Sequence, residues 1–226
     1  MDLHQRRSDP DEGIEESRLA PTPYAQVCRW VEDAQAREEE RGDVPEPLAL
    51  SVATVDAGGR PNVRTVLMRF FDERGPGFVS STVSAKGVEL AGNPAIAASL
   101  TWPAMFRAVR FRGVAERVDQ AELEGYWASR PWGARVSAWA SQQSQPAEGR
   151  EELERRFAEM ARRWPDTGSG QDVPVPEDWA AWRVDCAEVE LWGGRRDRLH
   201  DRFVYTRVGD GSLADAAAWA VSRRQP

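Results

Sequence analysis

The sequence predicts one α+β domain in which about six antiparallel strands form a barrel with helices packed around it. Three observations lead to this fold class. Short β-rich segments alternate with Gly-rich turns in the first half of the chain, amphipathic helical segments follow, and further strand-like segments end it. The 226 residues contain no internal repeat and no linker-like stretch, so residues 21–226 are predicted to form a single domain.

The first half of the chain supplies most of the predicted strands. An apolar stripe at helical spacing predicts a helix over residues 24–37. Strands are predicted over residues 48–55, 63–71, 78–81, 95–102 and 108–118, with turns at 56–59 and 73–77. Between them, residues 84–92 are predicted to form a short helix that begins after a capping serine, Ser84.

The second half is predicted to be helical first and β-rich afterwards. Helices are predicted over residues 120–129, 134–143 and 148–164, and strands over residues 182–192, 202–207 and 217–223. Residues 1–20 are rich in Asp, Glu, Arg and Ser, and this composition predicts a flexible N-terminal arm.

Composition excludes several classes of function. A net charge of −7 argues against nucleic-acid binding, and no apolar run approaches the roughly 20 residues that cross a bilayer. The two cysteines, Cys28 and Cys186, do not have metal-ligand spacing, and with only two histidines no metal site is expected. We therefore expect a cytoplasmic protein without nucleic-acid or membrane partners.

One candidate site lies near the C-terminus, where Arg198, His200 and Arg202 alternate along a predicted strand. Alternate residues of a strand share a face. Three basic side chains on one face are costly unless an anion neutralises them, and arginine forks match phosphate oxygens. The residues alone leave two interpretations open: an anion-binding face, or a solvated strand face with Asp197 and Asp201 as counter-charges.

A second candidate site surrounds the helix predicted over residues 84–92. Ser80 and Ser84 offer hydroxyl groups, and the first backbone N–H groups of a helix attract anions. Lys86 is the only lysine among 30 basic residues, and in a first helical turn it has the unfavourable sign for the helix dipole. An anion held between Arg64, Ser84 and Lys86 removes that cost, whereas an ordinary surface lysine explains the same residue equally well.

These segments resemble the pyridoxine/pyridoxamine 5′-phosphate oxidase family over residues 48–226. The resemblance is strongest in Trp192-Gly-Gly, in Arg198-Leu-His-Asp-Arg-Phe203 and in residues 219–226. It implies an FMN-binding split β-barrel and a homodimer whose two active sites lie between the subunits. The implied reaction passes a hydride from the substrate to the flavin, which oxygen then reoxidises with release of hydrogen peroxide.

The resemblance also implies roles for individual residues. The residues that match the family's FMN contacts are Arg64, Ser80, Ser84, Lys86, Gln143, Ser144, Trp192 and Arg202. Those that match its substrate-phosphate contacts are Arg69, Tyr126 and Arg130. Arg198 and His200 match the pair over the pyridine ring and its reacting carbon, and are the implied catalytic and substrate-binding residues.

The chain departs from the family pattern at several positions. Ala85 replaces a phosphate-binding arginine, and Ala108 replaces a flavin-contacting glutamine, for which Arg107 or Arg110 is expected to substitute. Ala134 replaces a substrate-binding serine, with Arg135 expected to compensate. The Arg-x-x-Tyr segment that covers the substrate in the family is not recognisable in residues 1–20.

Three functions remain in view from the sequence. The favoured one is oxidation of pyridoxamine or pyridoxine 5′-phosphate, a small phosphorylated pyridine, to pyridoxal 5′-phosphate. The first alternative is a flavin oxidase of secondary metabolism on the same scaffold, similar to the phenazine-biosynthesis oxidases, which remodel the phosphate-anchoring positions. The second is a non-catalytic protein that binds flavin or pyridoxal phosphate.

Overall fold

The computed structural model describes residues 13–226, and its centre is one antiparallel sheet of nine strands. The strands are β1 (Ala49–Val55), β2 (Pro61–Leu67), β3 (Phe70–Asp72), β4 (Gly75–Ser81), β5 (Ala95–Trp102), β6 (Arg107–Arg117), β7 (Trp179–Gly193), β8 (Asp201–Arg207) and β9 (Trp219–Arg224). The α-helices are α1 (Pro23–Arg41), α2 (Ala85–Gly92), α3 (Gln120–Ser129), α4 (Trp132–Ala140) and α5 (Arg150–Arg163). The predicted α+β class with an antiparallel barrel is confirmed.

The path of the sheet explains how it closes. Its strand order is β2-β1-β5-β6-β7-β4-β3, so β2 and β3 lie at opposite ends of the path. Only Met68 and Arg69 separate them in sequence: the Met68 N–H donates to the Leu48 carbonyl and the Arg69 N–H to the Gly77 carbonyl. Because two residues span only about 7 Å, the sheet curls until its two ends meet, which produces a split barrel.

That junction also corrects a predicted strand. Residues 63–71 were expected to form one strand, but the chain exchanges its partner from β1 to β4 at Met68, and the segment becomes β2 and β3. This division turns the eight predicted strand segments into nine strands, and β8 and β9 extend the sheet beside the second half of β7. β7 thus pairs with β6 along most of its length, with β4 at its start and with β8 at its end.

The core fills the curled sheet. Side chains alternate along β1, where Leu50 and Val52 are fully buried between half-buried neighbours, as the period of two in a strand requires. They pack with Leu100, Phe111 and the α1 residue Trp30 in one large cluster. A smaller cluster of Trp127, Val136 and Val173 holds the helical layer together.

The N-terminal segment and α4 differ from the expected boundaries. Residues 1–12 of the predicted arm lie outside the described residues. From residue 13 the chain is held against the sheet: Ile14 is buried, and the Tyr205 hydroxyl donates to the Ala20 carbonyl at 2.7 Å. α4 ends at Ala140, so residues 141–149 form a loop. Within the described chain, no helix is both long and apolar enough to span a membrane.

Candidate active site

A cluster of polar donors lies at the N-terminus of α2. The Ser84 hydroxyl caps the helix by accepting from the Gly87 N–H at 3.2 Å, and it donates to the Ser81 carbonyl at 2.7 Å. The ammonium group of Lys86 donates to the Ser80 hydroxyl at 2.9 Å and contacts the Ser84 hydroxyl at 3.5 Å. We call Ser80, Ser84 and Lys86 the anion cradle. Its groups are those that bind a phosphate at a helix N-terminus.

Lys86 is buried, with 5% of its surface exposed. Burial, together with the nearby positive charge of Arg64, lowers the pKa of Lys86 to about 8. Its hydrogen-bond partners within residues 13–226 are neutral oxygens of Ser80, Ser84 and Gln143. A buried ammonium group without a carboxylate partner is costly, so the cradle favours an anionic ligand. The interpretation of Lys86 as a surface residue is excluded.

Arg64 lies beside the cradle but is already paired. Its guanidinium group forms an ion pair with Glu89 at 2.7 Å and donates to Thr54 and to the Val52 carbonyl. Burial works to raise the pKa of Glu89, but hydrogen bonds from Thr54, Asn62 and Arg64 outweigh it and hold that pKa below its usual value. Arg64 therefore contributes positive potential to the cradle, and Glu89 fixes its position.

The loop after α4 closes over the cradle. The side-chain oxygen of Gln143 accepts from Lys86 at 3.2 Å and from the Ser80 hydroxyl. The Ser144 hydroxyl accepts from the Ala85 N–H at 3.1 Å, and Ser144 has a left-handed backbone (φ 71°). The structure thus brings five of the predicted FMN-contacting residues together in one place: Ser80, Ser84, Lys86, Gln143 and Ser144.

A second cluster joins the predicted substrate-phosphate residues. The guanidinium group of Arg130 lies 4.7 Å from the Trp179 ring and 5.7 Å from the Tyr126 ring, and it donates to the Ala134 carbonyl at 2.9 Å. Burial, with positive charge from Arg69 and Arg135 nearby, lowers the pKa of Arg130 below its usual value despite an opposing effect of Tyr126. The Nε atom of Arg130 is buried without a hydrogen-bond partner in the described part of the chain.

Arg135 does not take the place of the missing serine. It is almost completely buried, pairs with Asp172 at 2.9 Å and donates to the Ser169 carbonyl. The expectation that it compensates for Ala134 is therefore wrong, because its guanidinium group is used to attach α4 to the loop that precedes β7.

A third cluster lies at the far end of β7. Trp192 and Arg202 are directly opposite each other in the β7–β8 register, and the imidazole ring of His200 packs 4.8 Å from the Trp192 ring. The Arg195 N–H donates to His200 Nδ1 at 3.0 Å. Arg202 forms a two-point ion pair with Glu190.

The prediction that Arg198, His200 and Arg202 share one face of a strand is wrong. β8 begins only at Asp201, and Asp197 and Arg198 both have left-handed backbones (φ 58° and 63°). The alternation of a strand therefore does not apply to residues 198–200. Left-handed conformations cost roughly 1 kcal/mol or more at residues other than glycine, and they concentrate at functional sites.

Arg107 and Arg110 also pair with carboxylates. Arg107 pairs with Asp33 at 2.6 Å and lies over the Trp30 ring, and Arg110 pairs with Glu190. The expectation that either replaces the glutamine lost at Ala108 is not supported by these contacts. Ala108 itself is a buried residue of β6, opposite Trp192 of β7.

Two carboxylates at the site were not predicted from the sequence. Glu89 orients Arg64, and Glu190 orients Arg202 together with Arg110. Glu89 lies on α2 and Glu190 on β7, and each partner is at least 12 positions away in sequence. The only sequence signal is that an arginine near a candidate phosphate site needs a partner, and this does not say which carboxylate supplies it.

Within one chain, the third cluster is remote from the anion cradle. Ser80 pairs with Ala180 near the start of β7, whereas Trp192 lies twelve positions later on the same strand. At about 3.3 Å per residue, this corresponds to roughly 40 Å along the strand. A single flavin nucleotide is much shorter than this path.

The fold and the donor set define a split-barrel protein with a site for a phosphorylated ligand. The neutral and cationic donors of the anion cradle fit the phosphate of FMN. A family model described as pyridoxamine 5′-phosphate oxidase matches residues 36–164, and one described as the pyridoxine 5′-phosphate oxidase C-terminal dimerisation region matches residues 179–226. The chain belongs to the pyridoxine/pyridoxamine 5′-phosphate oxidase family and is an oxidoreductase with FMN as its cofactor.

Curated relatives and solved structures agree with this assignment. The chain is 45% identical over 217 residues to a pyridoxine/pyridoxamine 5′-phosphate oxidase of Kineococcus radiotolerans, covering 96% of this chain and 95% of the relative. It is 42% identical to the enzyme of that name in Rubrobacter xylanophilus, covering 98% and 94%. The crystal structure of PhzG from Burkholderia lata 383 in complex with tetrahydrophenazine-1-carboxylic acid has a TM-score of 0.81 at 27% identity, covering 96% and 98%.

Proposed function

We propose that the protein oxidises pyridoxamine or pyridoxine 5′-phosphate to pyridoxal 5′-phosphate, with oxygen reduced to hydrogen peroxide. With pyridoxamine 5′-phosphate, water supplies the aldehyde oxygen and the amine nitrogen leaves as ammonia. The observation that carries the proposal is the environment of the Arg130 guanidinium group. It is largely withdrawn from water, its Nε lacks a hydrogen-bond partner within residues 13–226, and Arg69 adds a second positive charge nearby. Arginine pairs of this kind suit a phosphate dianion.

Arg69, Tyr126 and Arg130 would anchor the substrate phosphate. The rings of Trp179 and Tyr126 hold the Arg130 guanidinium plane, and the Phe70 ring packs 5.1 Å from the Tyr126 ring. The backbone of Arg69 is fixed by its hydrogen bond to the Gly77 carbonyl. Side chains that are already ordered lose little conformational entropy when they bind the substrate phosphate. Binding of the phosphate then also fixes the position of the reacting carbon.

The anion cradle would hold the FMN phosphate, with Arg64 adding positive potential and Gln143 and Ser144 lying beside it. Bound FMN supplies the electron acceptor for the oxidation. Trp192 and Arg202 would contact the flavin from the third cluster. Arg198, on the left-handed turn, and His200, next to the Trp192 ring, would position the pyridine ring and assist proton movement at the reacting carbon.

A homodimer would bring these clusters together. Ala180, which pairs with Ser80, and Trp192 are separated by roughly 40 Å along β7. A single flavin nucleotide is too short to contact both the anion cradle and the third cluster of the same chain. A second copy related by two-fold symmetry can place its third cluster beside the anion cradle of the first, and the same operation completes the other site. The match of residues 179–226 to a dimerisation region supports this assembly.

A flavin oxidase of secondary metabolism is the second candidate. Ala134 removes one phosphate-anchoring hydroxyl, and Arg135 does not replace it. The likeness to PhzG, with a TM-score of 0.81, extends over nearly the whole chain. Retention of Arg69, Tyr126 and Arg130 favours the phosphorylated substrate. The identity of 45% to an oxidase argues against a non-catalytic binding protein.

The deciding experiment is anaerobic. Protein reconstituted with FMN is mixed with pyridoxamine 5′-phosphate or pyridoxine 5′-phosphate, and the visible absorbance of the flavin is followed. We expect bleaching that reverses when air is admitted, with pyridoxal 5′-phosphate formed. Flavin that is bound but stays oxidised contradicts the proposed substrate.

Two parallel samples separate the candidates. Unphosphorylated pyridoxine tests the phosphate anchor, and we expect much slower bleaching with it. A tetrahydrophenazine-1-carboxylic acid sample tests the second candidate. Bleaching by this compound alone would transfer the assignment to a phenazine-type oxidase.

A further inference from the structure

The carboxylate of Asp201 joins three separate segments of the chain. Its Oδ2 accepts from the Ile14 N–H at 2.9 Å and from Arg195 Nε, and its Oδ1 accepts from Arg223 on β9. Asp201 is 5% exposed. Burial works to raise the pKa of Asp201, but the hydrogen bonds from Arg195 and Arg223 outweigh it and hold that pKa below its usual value. The carboxylate is therefore charged and firmly held.

Arg195 carries this restraint to His200. Its side chain is bound by Asp201, and its backbone N–H donates to His200 Nδ1 at 3.0 Å. A backbone amide can only donate, so Nδ1 must accept. A neutral imidazole carries one proton, which must then lie on Nε2. His200 consequently offers a hydrogen-bond donor at Nε2, and its basic nitrogen is occupied.

Gly13 makes the arrangement possible from the N-terminal side. A Cβ atom at this position would collide with Asp201 Oδ2 and with Arg195 Nε. A side chain at position 13 would therefore force the paired side chains of Asp201 and Arg195 to shift. This contact links the segment that precedes α1 to the segment that carries His200.

We propose that Asp201 is a positioning residue, which, through Arg195, holds His200 as the Nε2–H tautomer with Nε2 available to donate to the substrate. The positioning part stands on contacts within one chain. The part that concerns substrate rests on the proposed function. His200 would thus hold or polarise an oxygen or nitrogen of the substrate by donating a hydrogen bond, and would not act as the proton acceptor while the Arg195 contact persists.

The first test uses NMR on the FMN-loaded protein without substrate. The chain has two histidines, so a His4→Gln background leaves His200 as the only imidazole. With ring nitrogens labelled, we expect Nε2 protonated and Nδ1 unprotonated in the neutral state. Protonated Nδ1 overturns the proposal, and this measurement needs no variant at Asp201.

Two variants then test the role of Asp201. Asp201→Asn keeps the shape and removes the charge, and Gly13→Ala displaces the ion pair from the N-terminal side. We expect hydrogen exchange of the Arg195 amide to accelerate at least about tenfold in each, which corresponds to loss of one charge-assisted hydrogen bond. The His200 ring should shift to a mixture of tautomers.

Matched controls are Asp185→Asn, which breaks the ion pair with Arg207 at the other end of β8, and Gly125→Ala, where a Cβ meets no atom within 4 Å. Both should leave the Arg195 amide and His200 unchanged. Wild-type exchange rates in Asp201→Asn and Gly13→Ala overturn the positioning role. Turnover is measured separately: absence of turnover in the wild type would contradict the proposed function and leave the NMR result valid.

Discussion

Gln143 and Lys86 meet at the N-terminus of α2, where the side-chain oxygen of Gln143 lies 3.2 Å from the ammonium nitrogen of Lys86. The same oxygen accepts from the Ser80 hydroxyl. It therefore takes the position of an acceptor that a phosphate oxygen can also fill. When a phosphate binds at the anion cradle, its oxygens must share Lys86 and Ser80 with the Gln143 side chain or displace that side chain from them.

Gln143→Glu tests that relationship because it puts a carboxylate next to Lys86 without changing the shape of the side chain. We expect the cofactor-free protein to gain stability, since a buried cation acquires a partner; a gain of 1 kcal/mol would raise Tm by about 2–4 °C. FMN affinity should fall about ten- to hundredfold, because the carboxylate competes with the phosphate. Thermal melts and flavin fluorescence titrations measure the two effects. Gln145→Glu, two positions further along the same exposed loop and without a contact to Lys86 among the described residues, is the control, and an equal effect there would contradict the prediction.

FMN affinity should depend on pH through Lys86. Its pKa is lowered from 10.5 to about 8 in the cofactor-free protein. Below about pH 8 the ammonium form is present and binds phosphate; above it, affinity should fall by up to about tenfold per pH unit. The stability of the cofactor-free protein should show the opposite trend and rise between about pH 8 and 10.5, because the unfolded chain then binds more protons than the folded one. Titrations of FMN and urea unfolding at each pH provide the check, and a flat affinity profile from pH 7 to 10 would be incompatible with a buried Lys86.

Arg69→Gln should weaken the substrate-phosphate anchor with little effect on the fold, since Arg69 is exposed. We expect KM for pyridoxamine 5′-phosphate to rise about ten- to hundredfold through loss of one charge-assisted hydrogen bond. Activity toward unphosphorylated pyridoxine, where measurable, should not change. Arg60→Gln, on the turn before β2, is the matched control. Steady-state kinetics with both substrates decide the matter, and equal losses on both substrates would argue against a phosphate contact.

Arg198→Ala should depress turnover far more than flavin content. Arg198 lies on the left-handed turn next to His200, remote along β7 from the anion cradle of its own chain. We expect kcat/KM to fall by two orders of magnitude or so, as for removal of a group that positions the reacting centre, with FMN bound at close to the wild-type ratio. Absorbance spectra and kinetics on the same preparation measure both. Arg155→Ala, on the exposed side of α5, should change neither, and a parallel loss of flavin and turnover would remove Arg198 from its assigned role.

Mixing two inactive variants tests whether the sites lie between subunits. Lys86→Gln damages the anion cradle, and Arg198→Ala damages the third cluster. If each site takes one cluster from each chain, a mixed dimer has one intact site, and random exchange should restore about a quarter of the wild-type activity. Co-expression with two affinity tags, followed by activity measurement, gives the result. No recovery in isolated mixed dimers would mean that each site lies within a single chain.

The sequence by itself determined the class of fold and placed Ser80, Ser84 and Lys86 around the N-terminus of one helix. β-rich segments broken by glycine predicted β1 and β4 to β7 within a few residues, because turn chemistry and side-chain alternation are local properties. The break between β2 and β3 was not predicted, since it follows from a change of partner strand. The capping position of Ser84 and the anion cradle were predictable for the same reason: they occupy seven consecutive positions around one helix N-terminus.

Only the tertiary structure decided which arginines are available to bind a phosphate. Arg107, Arg110 and Arg135 look equivalent to Arg130 in the sequence, yet the first three form ion pairs with Asp33, Glu190 and Asp172, whereas Arg130 has no carboxylate partner within residues 13–226. The two left-handed residues before His200 likewise replaced a predicted strand face. Ion pairs and chain reversals of this kind depend on packing between residues distant in sequence, where the free energy of a charge is set by what surrounds it and not by its neighbours along the chain.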